Sequence, residues 1–345
     1  MTKGNSLSKI CHQIAQECTE CSQCVGECFF LRETGLTPAE IARREPSVEE
    51  AYSCTLCGLC EILCPASLSL STMFSAARKK AVDEGRMEIE AYRYMFPDRR
   101  NHLMSFYRKH RGLHYADLSP DREGSSAFFP GCIMLTYSPE LVRAVFANLQ
   151  DTRRELTLIT DCCGLPLEQL GLQARHRRYL ANLQAKLAGL KLKSIITACP
   201  NCYYQLSPLL SPSGIKLLTV YEALDFETMI GNHPYPASRG ELITIHDSCP
   251  DRREGIFAGQ VRDALKRKGY TVMELPNSKE KTTCCGSGGQ VTHFRPDLAE
   301  KLVEKRWQEF RQTGAQIFAA YCLGCVLNLA KNSGSNKVQH VLNLL

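Results

Sequence analysis

The sequence predicts an α+β multidomain protein, in which a mainly helical N-terminal domain is followed by two repeated α/β domains rich in cysteine. The chain has 345 residues, and at about 150 residues per domain this length allows two or three domains. Its first cysteines form two dense runs separated by a stretch with helical signals. A pattern of five cysteines is then written twice, each time among strand-like apolar runs, which indicates a repeated α/β unit.

The composition is that of an ordinary folded protein, with 44% hydrophobic and 23% charged residues. No stretch approaches 18 uninterrupted apolar residues, and the first residues lack the apolar run of a secretory signal. We therefore expect a cytoplasmic protein without a transmembrane segment of its own, and attachment at the inner face of the membrane is compatible with these features. The net charge of +6 suits docking to an acidic partner but falls short of the charge that nucleic-acid binding requires.

The 19 cysteines need a chemical explanation, because an intracellular chain of this size normally carries far fewer. Disulfides are one explanation, but a reducing cytosol disfavours them and a chain of this length has no need of covalent staples. Metal binding through thiolates is therefore favoured, and the spacing of the cysteines indicates which metal centre to expect.

Two N-terminal runs share one spacing, in which two residues separate the first three cysteines and three residues separate the third from the fourth. Such a run is typical of a protein with two [4Fe–4S] cubanes, because its first three thiolates bind one cubane and its fourth binds the other. We therefore predict a first cubane on Cys18, Cys21, Cys24 and Cys64 and a second on Cys54, Cys57, Cys60 and Cys28. A tetrahedral zinc site is the alternative, and the tight packing of cysteines within each run disfavours it.

The residues around these runs predict helices. Thr37 is a suitable N-cap before a proline at the first helical position, and a second helix is expected from 71 to about 90. We assign residues 1–77 to a mainly helical two-cluster domain. Residues 78–124 contain no cysteine and many basic and aromatic residues, so we predict a helical linker there. Its surface is either a solvated connector or a docking site for an acidic redox partner or a membrane subunit.

The cysteines of the second part repeat a pattern of one cysteine, a Cys-Cys-Gly triplet and a C-x-x-C pair. The first copy consists of Cys132, Cys162, Cys163, Cys199 and Cys202, and the second of Cys249, Cys284, Cys285, Cys322 and Cys325. Strand-like runs precede the first cysteine and the final pair of each copy, at 127–129, 195–198, 242–245 and 317–320. Charged helical stretches such as 298–311 lie between them, and each copy closes on an amphipathic run, at 220–224 and 338–342.

Alternation of strands and helices predicts one compact α/β domain for each copy, at 125–235 and 236–345. Cysteines just past strand ends lie where such folds build ligand sites. Adjacent cysteines fit poorly on one tetrahedral ion because neighbouring side chains diverge, whereas five thiolates can serve several irons, so a polynuclear site is favoured. Gly164 and Gly286 follow the paired cysteines, and we expect them to let the backbone turn close to an inorganic cluster.

The doubled five-cysteine pattern resembles the CCG, or cysteine-rich, domains of the heterodisulfide reductase catalytic subunit. The two runs ahead of it resemble the small ferredoxin-like subunit that feeds electrons to that enzyme, so the chain is similar to a fusion of the two. Similar arrangements occur in the iron–sulfur subunits of anaerobic glycerol-3-phosphate dehydrogenase and glycolate oxidase, and lactate-utilisation proteins carry the cysteine-rich part. The resemblance implies a noncubane [4Fe–4S] cluster, with a catalytic role, on each of the two five-cysteine sets.

Two cubanes and two noncubane clusters together indicate an electron-transfer subunit of an oxidoreductase complex. In the heterodisulfide reductase-like hypothesis, the noncubane clusters reduce a disulfide, and each binds one sulfur of the cleaved bond. In the alternative, the chain relays electrons from a flavin subunit that oxidises a hydroxy acid or glycerol 3-phosphate toward quinone. The expected partners are therefore a flavoprotein or a membrane cytochrome or other quinone-reactive subunit. A zinc-binding structural protein without redox chemistry is the least favoured hypothesis.

For several other residues, a structural role competes with a functional one. Cys11 is expected to be a bystander on the first helix. His246 and Asp247 precede Cys249 and either orient the cluster loop or deliver protons, and orientation is favoured. Asp161 is expected to cap a loop. The glycine-rich stretch 286–289 lacks the last glycine and the strand context of a dinucleotide-binding loop, so no nucleotide site is predicted.

Overall fold

The computed structural model describes residues 6–118, 124–153, 155–225, 240–332 and 338–345. A helical N-terminal region is followed by two parallel β-sheets with helices around them. This architecture agrees with the predicted α+β organisation. The predicted boundary between the two cysteine-rich domains, at 235 and 236, lies outside the described residues.

Short helices dominate the N-terminal region. They are α1 (Leu7–Glu17), α2 (Gln23–Glu27), α3 (Phe29–Thr34), α4 (Pro38–Arg44), α5 (Val48–Ser53), α6 (Leu59–Leu63) and α7 (Leu70–Asp83). The predicted start of α4 is confirmed, because the Thr37 side chain accepts the Glu40 N–H and the Glu40 side chain accepts the Thr37 N–H. Helix α7 ends earlier than predicted, since Gly85 adopts a left-handed φ of +66° that breaks the helix.

The segment predicted as a linker is partly helical. It contains a 3₁₀ helix (Ile89–Met95), α8 (Leu103–His110) and a second 3₁₀ helix (Ala116–Leu118). Phe96 is fully buried against Leu167 and Leu170, and the Tyr115 hydroxyl donates to the Leu135 carbonyl at 2.7 Å. Phe96 and Tyr115 are therefore packed against the first cysteine-rich copy and are not part of a solvated connector. Helix α8, in contrast, has no buried side chain.

Each cysteine-rich copy is built on a four-stranded parallel sheet. The first sheet contains β1 (Ser126–Phe129), β2 (Leu156–Leu158), β3 (Ser194–Thr197) and β4 (Lys216–Thr219), and the second contains β5 (Leu242–His246), β6 (Thr271–Met273), β7 (Ile317–Ala320) and β8 (Val338–His340). The strand orders, β2-β1-β3-β4 and β6-β5-β7-β8, are the same, so the sequence repeat is also a structural repeat. The strands predicted before the cysteines are β1, β3, β5 and β7, and all are confirmed.

Helices connect the strands, as parallel sheets require. The first copy contains α9 (Cys132–Tyr137), α10 (Pro139–Thr152), α11 (Leu165–Gln169), α12 (Gln173–Gly189), α13 (Pro200–Leu210), a 3₁₀ helix (Ser211–Ser213) and α14 (Val220–Ala223). The second contains α15 (Ile256–Arg267), α16 (Val291–Phe294), α17 (Pro296–Thr313), α18 (Leu323–Leu329) and 3₁₀ helices at Cys249–Asp251, Lys279–Lys281, Gly288–Gln290, Ala330–Asn332 and Val341–Asn343.

The sheet registers correct the predicted equivalence of the two copy endings. Thr219 pairs with Thr197 at the end of β3, and His340 pairs with Ala320 at the end of β7. Thr219 and His340 are therefore equivalent, and the two closing runs at 220–224 and 338–342 are offset from each other. Val220 begins a helix after the last strand of its sheet, whereas 338–340 is itself a strand.

The two copies share one apolar core. Phe257 of the second copy packs edge-to-face on Tyr221 of the first, with ring centroids 6.1 Å apart, and stacks on Tyr321 at 6.0 Å. All three side chains belong to one buried cluster that includes strands of both sheets. Burial of this shared apolar surface fixes how the cysteine-bearing ends of the two sheets face each other.

Candidate metal centres

The first predicted cubane set comes together from both N-terminal runs. Burial raises the pKa of the Cys24 thiol to about 11, and the neighbouring thiols of Cys18, Cys64 and Cys21 contribute to that rise. Cys64 therefore leaves its own run to join the other three, as the spacing predicts. Cys21 is exposed, so this set lies at the surface of the N-terminal region.

The second predicted set also crosses between the runs. Burial raises the pKa of Cys60 well above its usual value, and the thiols of Cys54, Cys57 and Cys28 add to that shift. Cys28 belongs to the first run, yet its thiol lies within electrostatic reach of Cys57 in the second. The fourth cysteine of each run therefore joins the first three cysteines of the other run.

The first five-cysteine set gathers at the carboxyl ends of the first sheet. Cys132 begins α9 just after β1, Cys162 and Cys163 follow β2, and Cys199 and Cys202 flank the start of α13 after β3. Hydrogen bonds between thiols join Cys132 to Cys162, Cys163 to Cys202, and Cys199 to Cys202. Arg108 of α8 lies within electrostatic reach of Cys132.

The second set repeats this arrangement on the second sheet. Thiol hydrogen bonds join Cys249 to Cys284 and Cys322 to Cys325, and the sulfur atoms of Cys285 and Cys325 lie 3.2 Å apart. All of these thiols except that of Cys249 are on side chains at most 5% exposed. One cysteine of each CCG pair, Cys163 or Cys285, therefore lies beside the C-x-x-C pair of its own copy.

The two sets meet across a single cavity. The thiol of Cys199 in the first copy lies close enough to that of Cys322 in the second to lower the pKa of Cys322, and these are equivalent positions in the repeat. The amide nitrogen of Asn201 lies 3.8 Å from the Cys322 sulfur. Every cysteine of the two sets except Cys284 lines a cavity of about 860 Å³. Cys284 instead hydrogen-bonds Cys57 of the second cubane set.

The residues present fit polynuclear iron–sulfur clusters. Five thiol donors in each set exceed the four ligands of a tetrahedral zinc ion, and thiolates are the usual ligands of iron–sulfur clusters. Gly131 provides a second test, because a Cβ at this position would lie 3.1 Å from the Cys202 sulfur and 3.2 Å from the Cys199 Cβ. The chain passes these thiols at a distance that only glycine allows, and its φ of +91° also favours glycine.

The glycines after the cysteine pairs also pack against helices, in addition to the predicted turn. Gly164 and Gly286 do adopt left-handed φ values of +85° and +82°. However, a Cβ on Gly164 would lie 2.9 Å from the Tyr179 ring, and one on Gly286 would lie 2.8 Å from the Ala299 carbonyl oxygen. These glycines therefore allow the turn to pack closely on α12 and α17, and their close neighbours are helices of the protein.

Arg78, which has no sequence-based prediction, holds the N-terminal loops against both copies. The buried Arg78 guanidinium donates to the carbonyl oxygens of Ala51 (2.8 Å), Cys54 (2.6 Å), Gln169 (2.6 Å) and Gly289 (2.8 Å). These acceptors belong to the N-terminal region, the first copy and the second copy. In the sequence, only the glycine-rich stretch 286–289 indicates this close contact between the second copy and the N-terminal region. A Cβ on Gly289 would lie 2.5 Å from the Cys54 carbonyl oxygen.

The remaining predicted residues have structural partners. Cys11 is buried on α1, and burial raises its pKa to about 11. Asp161 forms an ion pair with Lys186 at 2.7 Å, and Asp247 is held by Arg262 through bonds of 2.8 and 2.9 Å. His246 is buried, and a ring nitrogen lies within 4.8 Å of the sulfur atoms of Cys285 and Cys325. No helix in the described part of the chain is long and apolar enough to cross a membrane.

Comparison with protein families assigns the same three regions. The cysteine-rich domain called CCG matches residues 126–207 and 243–330, and the 4Fe-4S dicluster domain matches residues 17–69. Fold and matches together define an iron–sulfur protein in which a dicluster domain precedes two cysteine-rich domains. In this combination of domains the chain is similar to subunits of heterodisulfide reductase.

Its relatives are oxidoreductase subunits. The chain is 25% identical to one subunit of the fumarate reductase (CoM/CoB) of Methanothermobacter marburgensis, over 95% of this chain and 71% of the relative. It is 25% identical to one subunit of the dihydromethanophenazine:CoB–CoM heterodisulfide reductase of Methanosarcina barkeri, over 86% and 75%. It is 26% identical to the glycolate oxidase iron-sulfur subunit of Escherichia coli, over 36% and 30%. The chain is thus similar to subunits of several oxidoreductases.

Proposed function

We propose that the chain is the iron–sulfur electron-transfer and catalytic subunit of a heterodisulfide reductase-like complex that acts on a disulfide or its thiols. Two cubanes would be held by the crossed N-terminal sets and two noncubane [4Fe–4S] clusters by the two five-cysteine sets. When bound, such clusters supply one-electron transfer and an iron position open to sulfur. The proposed domains are 1–77, 125–235 and 236–345, with 78–124 joining the first two.

The observation that carries this proposal is the meeting of the two five-cysteine sets. Cys199 and Cys322 hold equivalent positions in the repeat, line the same cavity and lie close enough for Cys199 to lower the pKa of Cys322. A disulfide has two sulfur atoms joined by one bond, so two equivalent thiol sets facing one space suit its two halves. Reduction consumes two electrons and two protons, and it releases two thiols.

The contacts between sets also suit delivery of electrons one at a time. Cys21 of the first cubane set is exposed, which gives a redox partner access to the N-terminal region. Cys57 of the second cubane set hydrogen-bonds Cys284 of the second copy. The second cubane set therefore adjoins the second five-cysteine set, which lines the shared cavity. We propose a flavoprotein or a membrane cytochrome as the partner that supplies the electrons.

The second candidate is a relay subunit of a flavin-dependent hydroxy-acid or glycerol-3-phosphate dehydrogenase. The similarity to the glycolate oxidase iron-sulfur subunit favours it. A relay needs only that electrons pass from one cluster to the next, whereas a disulfide needs two sulfur-binding sites that face each other. The equivalent positions of Cys199 and Cys322 at one cavity therefore support the disulfide proposal.

A single-turnover experiment separates the two candidates. The protein is purified without oxygen, reduced with dithionite, freed of excess reductant and mixed with a panel of small disulfides. Disulfide chemistry predicts reoxidation of the clusters with release of two thiols for every two electrons. The Cys199→Ala variant should lose this reaction, and Cys11→Ser should keep it. Reoxidation by quinone or flavoprotein but by none of the disulfides would refute the proposal and favour the relay.

A further inference from the structure

Two buried histidines lie beside the thiols of the second copy, and different residues occupy their positions in the first copy. His340 ends β8, and its equivalent at the end of β4 is Thr219. His246 ends β5, and its equivalent at the end of β1 is Phe129, because these two residues pair with the last residues of β7 and β3. The two sites therefore have similar thiols but different neighbours.

His340 presents an N–H group that lacks a close acceptor. Its Nδ1 accepts the backbone N–H of Leu342 at 3.2 Å, so the proton of the neutral ring is on Nε2. Nε2 is buried and makes no close hydrogen bond among the described residues, and the backbone of Tyr321 is a polar neighbour on the protein side of the ring. The side chain is 1% exposed, lines the shared cavity and lies within electrostatic reach of the Cys322 thiol. A buried donor of this kind is costly unless an acceptor is supplied.

Thr219 cannot play the same part in the first copy. Its hydroxyl donates to the Gln260 side chain at 2.6 Å and accepts the Glu222 N–H at 3.1 Å. Its one hydroxyl proton is thus committed to a neighbour outside the cysteine set. The equivalent position in the second copy keeps the capping role through Nδ1 and adds a donor.

His246 lies on the other side of β7 from His340, since both residues pair with Ala320. One of its ring nitrogens lies within 4.8 Å of the sulfur atoms of Cys285 and Cys325, and its Nδ1 has no partner in the part of the chain that the structure describes. The side chain is 1% exposed. Phe129, which is fully buried at the equivalent position, has no polar atom to offer.

We propose that His340 and His246 donate N–H hydrogen bonds to the sulfur atoms of the second-copy site and so raise the reduction potential of the cluster bound there. This inference rests on the proposed function, since it requires a cluster on Cys249, Cys284, Cys285, Cys322 and Cys325. Hydrogen bonds to cluster sulfur favour the reduced form, which carries more negative charge on its sulfur atoms. The first copy must set its potential by other groups, of which Arg108 beside Cys132 is one.

The two copies supply their own matched variants. His340→Thr and His246→Phe install the residues of the first copy, and Thr can keep the capping bond as Thr219 does. Each variant is purified without oxygen, and its clusters are followed by EPR during a potentiometric titration. We expect the ratio of reduced to oxidised second-copy cluster at a fixed potential to fall about tenfold, which equals about 59 mV for a one-electron couple. The first-copy cluster should not shift.

The reciprocal variant Phe129→His provides a test that remains valid if His340→Thr or His246→Phe fails to fold. It should raise the potential of the first-copy cluster and leave the second unchanged. Unshifted potentials in folded variants with full iron content would overturn the inference. So would nitrogen hyperfine coupling that identifies His246 as an iron ligand, or loss of iron on its replacement, because the histidine would then hold metal. Failure of the proposed function has a different signature, since wild-type protein would then lack the second-copy EPR signal altogether.

Discussion

Replacing Arg78 with methionine should weaken the attachment of the N-terminal region to both cysteine-rich copies. Methionine fills much of the aliphatic stem but cannot donate to the carbonyl oxygens of Ala51, Cys54, Gln169 and Gly289. Burial lowers the pKa of Arg78 to about 10, so the guanidinium remains charged at neutral pH. Each buried carbonyl left without its donor costs at least about 1 kcal/mol, which suggests a total loss of about 4 kcal/mol.

The loss is measured by urea unfolding without oxygen, followed by circular dichroism and by the visible absorbance of the clusters. Arg86→Met is the matched control, because Arg86 has a half-exposed side chain and forms an ion pair with the exposed Glu84. The control should lose less than about 0.5 kcal/mol. Arg78→Met should also slow electron transfer from the cubanes to the cysteine-rich copies. A variant as stable as the control, with unchanged transfer rates, would refute the role assigned to Arg78.

Four further substitutions, one of them with a matched control, test separate parts of the structure. Gly131→Ala should remove the first-copy cluster, which accounts for about four of about 16 irons. The added Cβ would lie 3.1 Å from a thiol sulfur, and the backbone φ of +91° disfavours alanine. The control is Gly259→Ala on an open helical surface, which should keep the full iron content. Cys64→Ser should abolish the EPR signal of the cubane bound by the first run, and Cys28→Ser that of the cubane bound by the second. Thr37→Ala should cost about 1 kcal/mol of stability in the same urea assay without changing the iron content, since it removes a capping box.

Each of these predictions has a contradicting outcome. If Gly131→Ala keeps its full iron content, the first-copy cluster does not require the backbone to pass this close to the thiols. Loss of the cubane from the mutated run itself, in both serine variants, would show that the fourth cysteine does not cross between runs. A loss of iron in Thr37→Ala would show that α4 does more than separate the two runs.

Local signals account for what could be predicted from the sequence. The N-cap at Thr37 and the strands before the first cysteine and the final pair of each copy depend on neighbouring residues, and the spacing of the runs depends on the chemistry of the clusters. Strands β2 and β6 escape prediction because each has three residues, too few for a periodic pattern. The predicted end of α7 lies too late, although Gly85 is a visible stop signal.

Long-range features could not be read from the sequence. Arg78 stands among polar residues of an amphipathic helix, and nothing local distinguishes it from a solvated arginine. Its acceptors at Gln169 and Gly289 lie 91 and 211 residues away along the chain. The equivalence of His340 and Thr219 likewise appears only in the sheet registers, because the closing runs of the two copies are offset in sequence.

The most direct test of the central claim is an iron and sulfide count on protein purified without oxygen, combined with EPR. Four clusters on the cysteine sets described above predict about 16 irons and about 16 sulfides per chain. Signals of two kinds are expected, one from reduced cubanes and one from noncubane clusters. A colourless protein with stoichiometric zinc, or a brown protein with only about eight irons, would contradict the account.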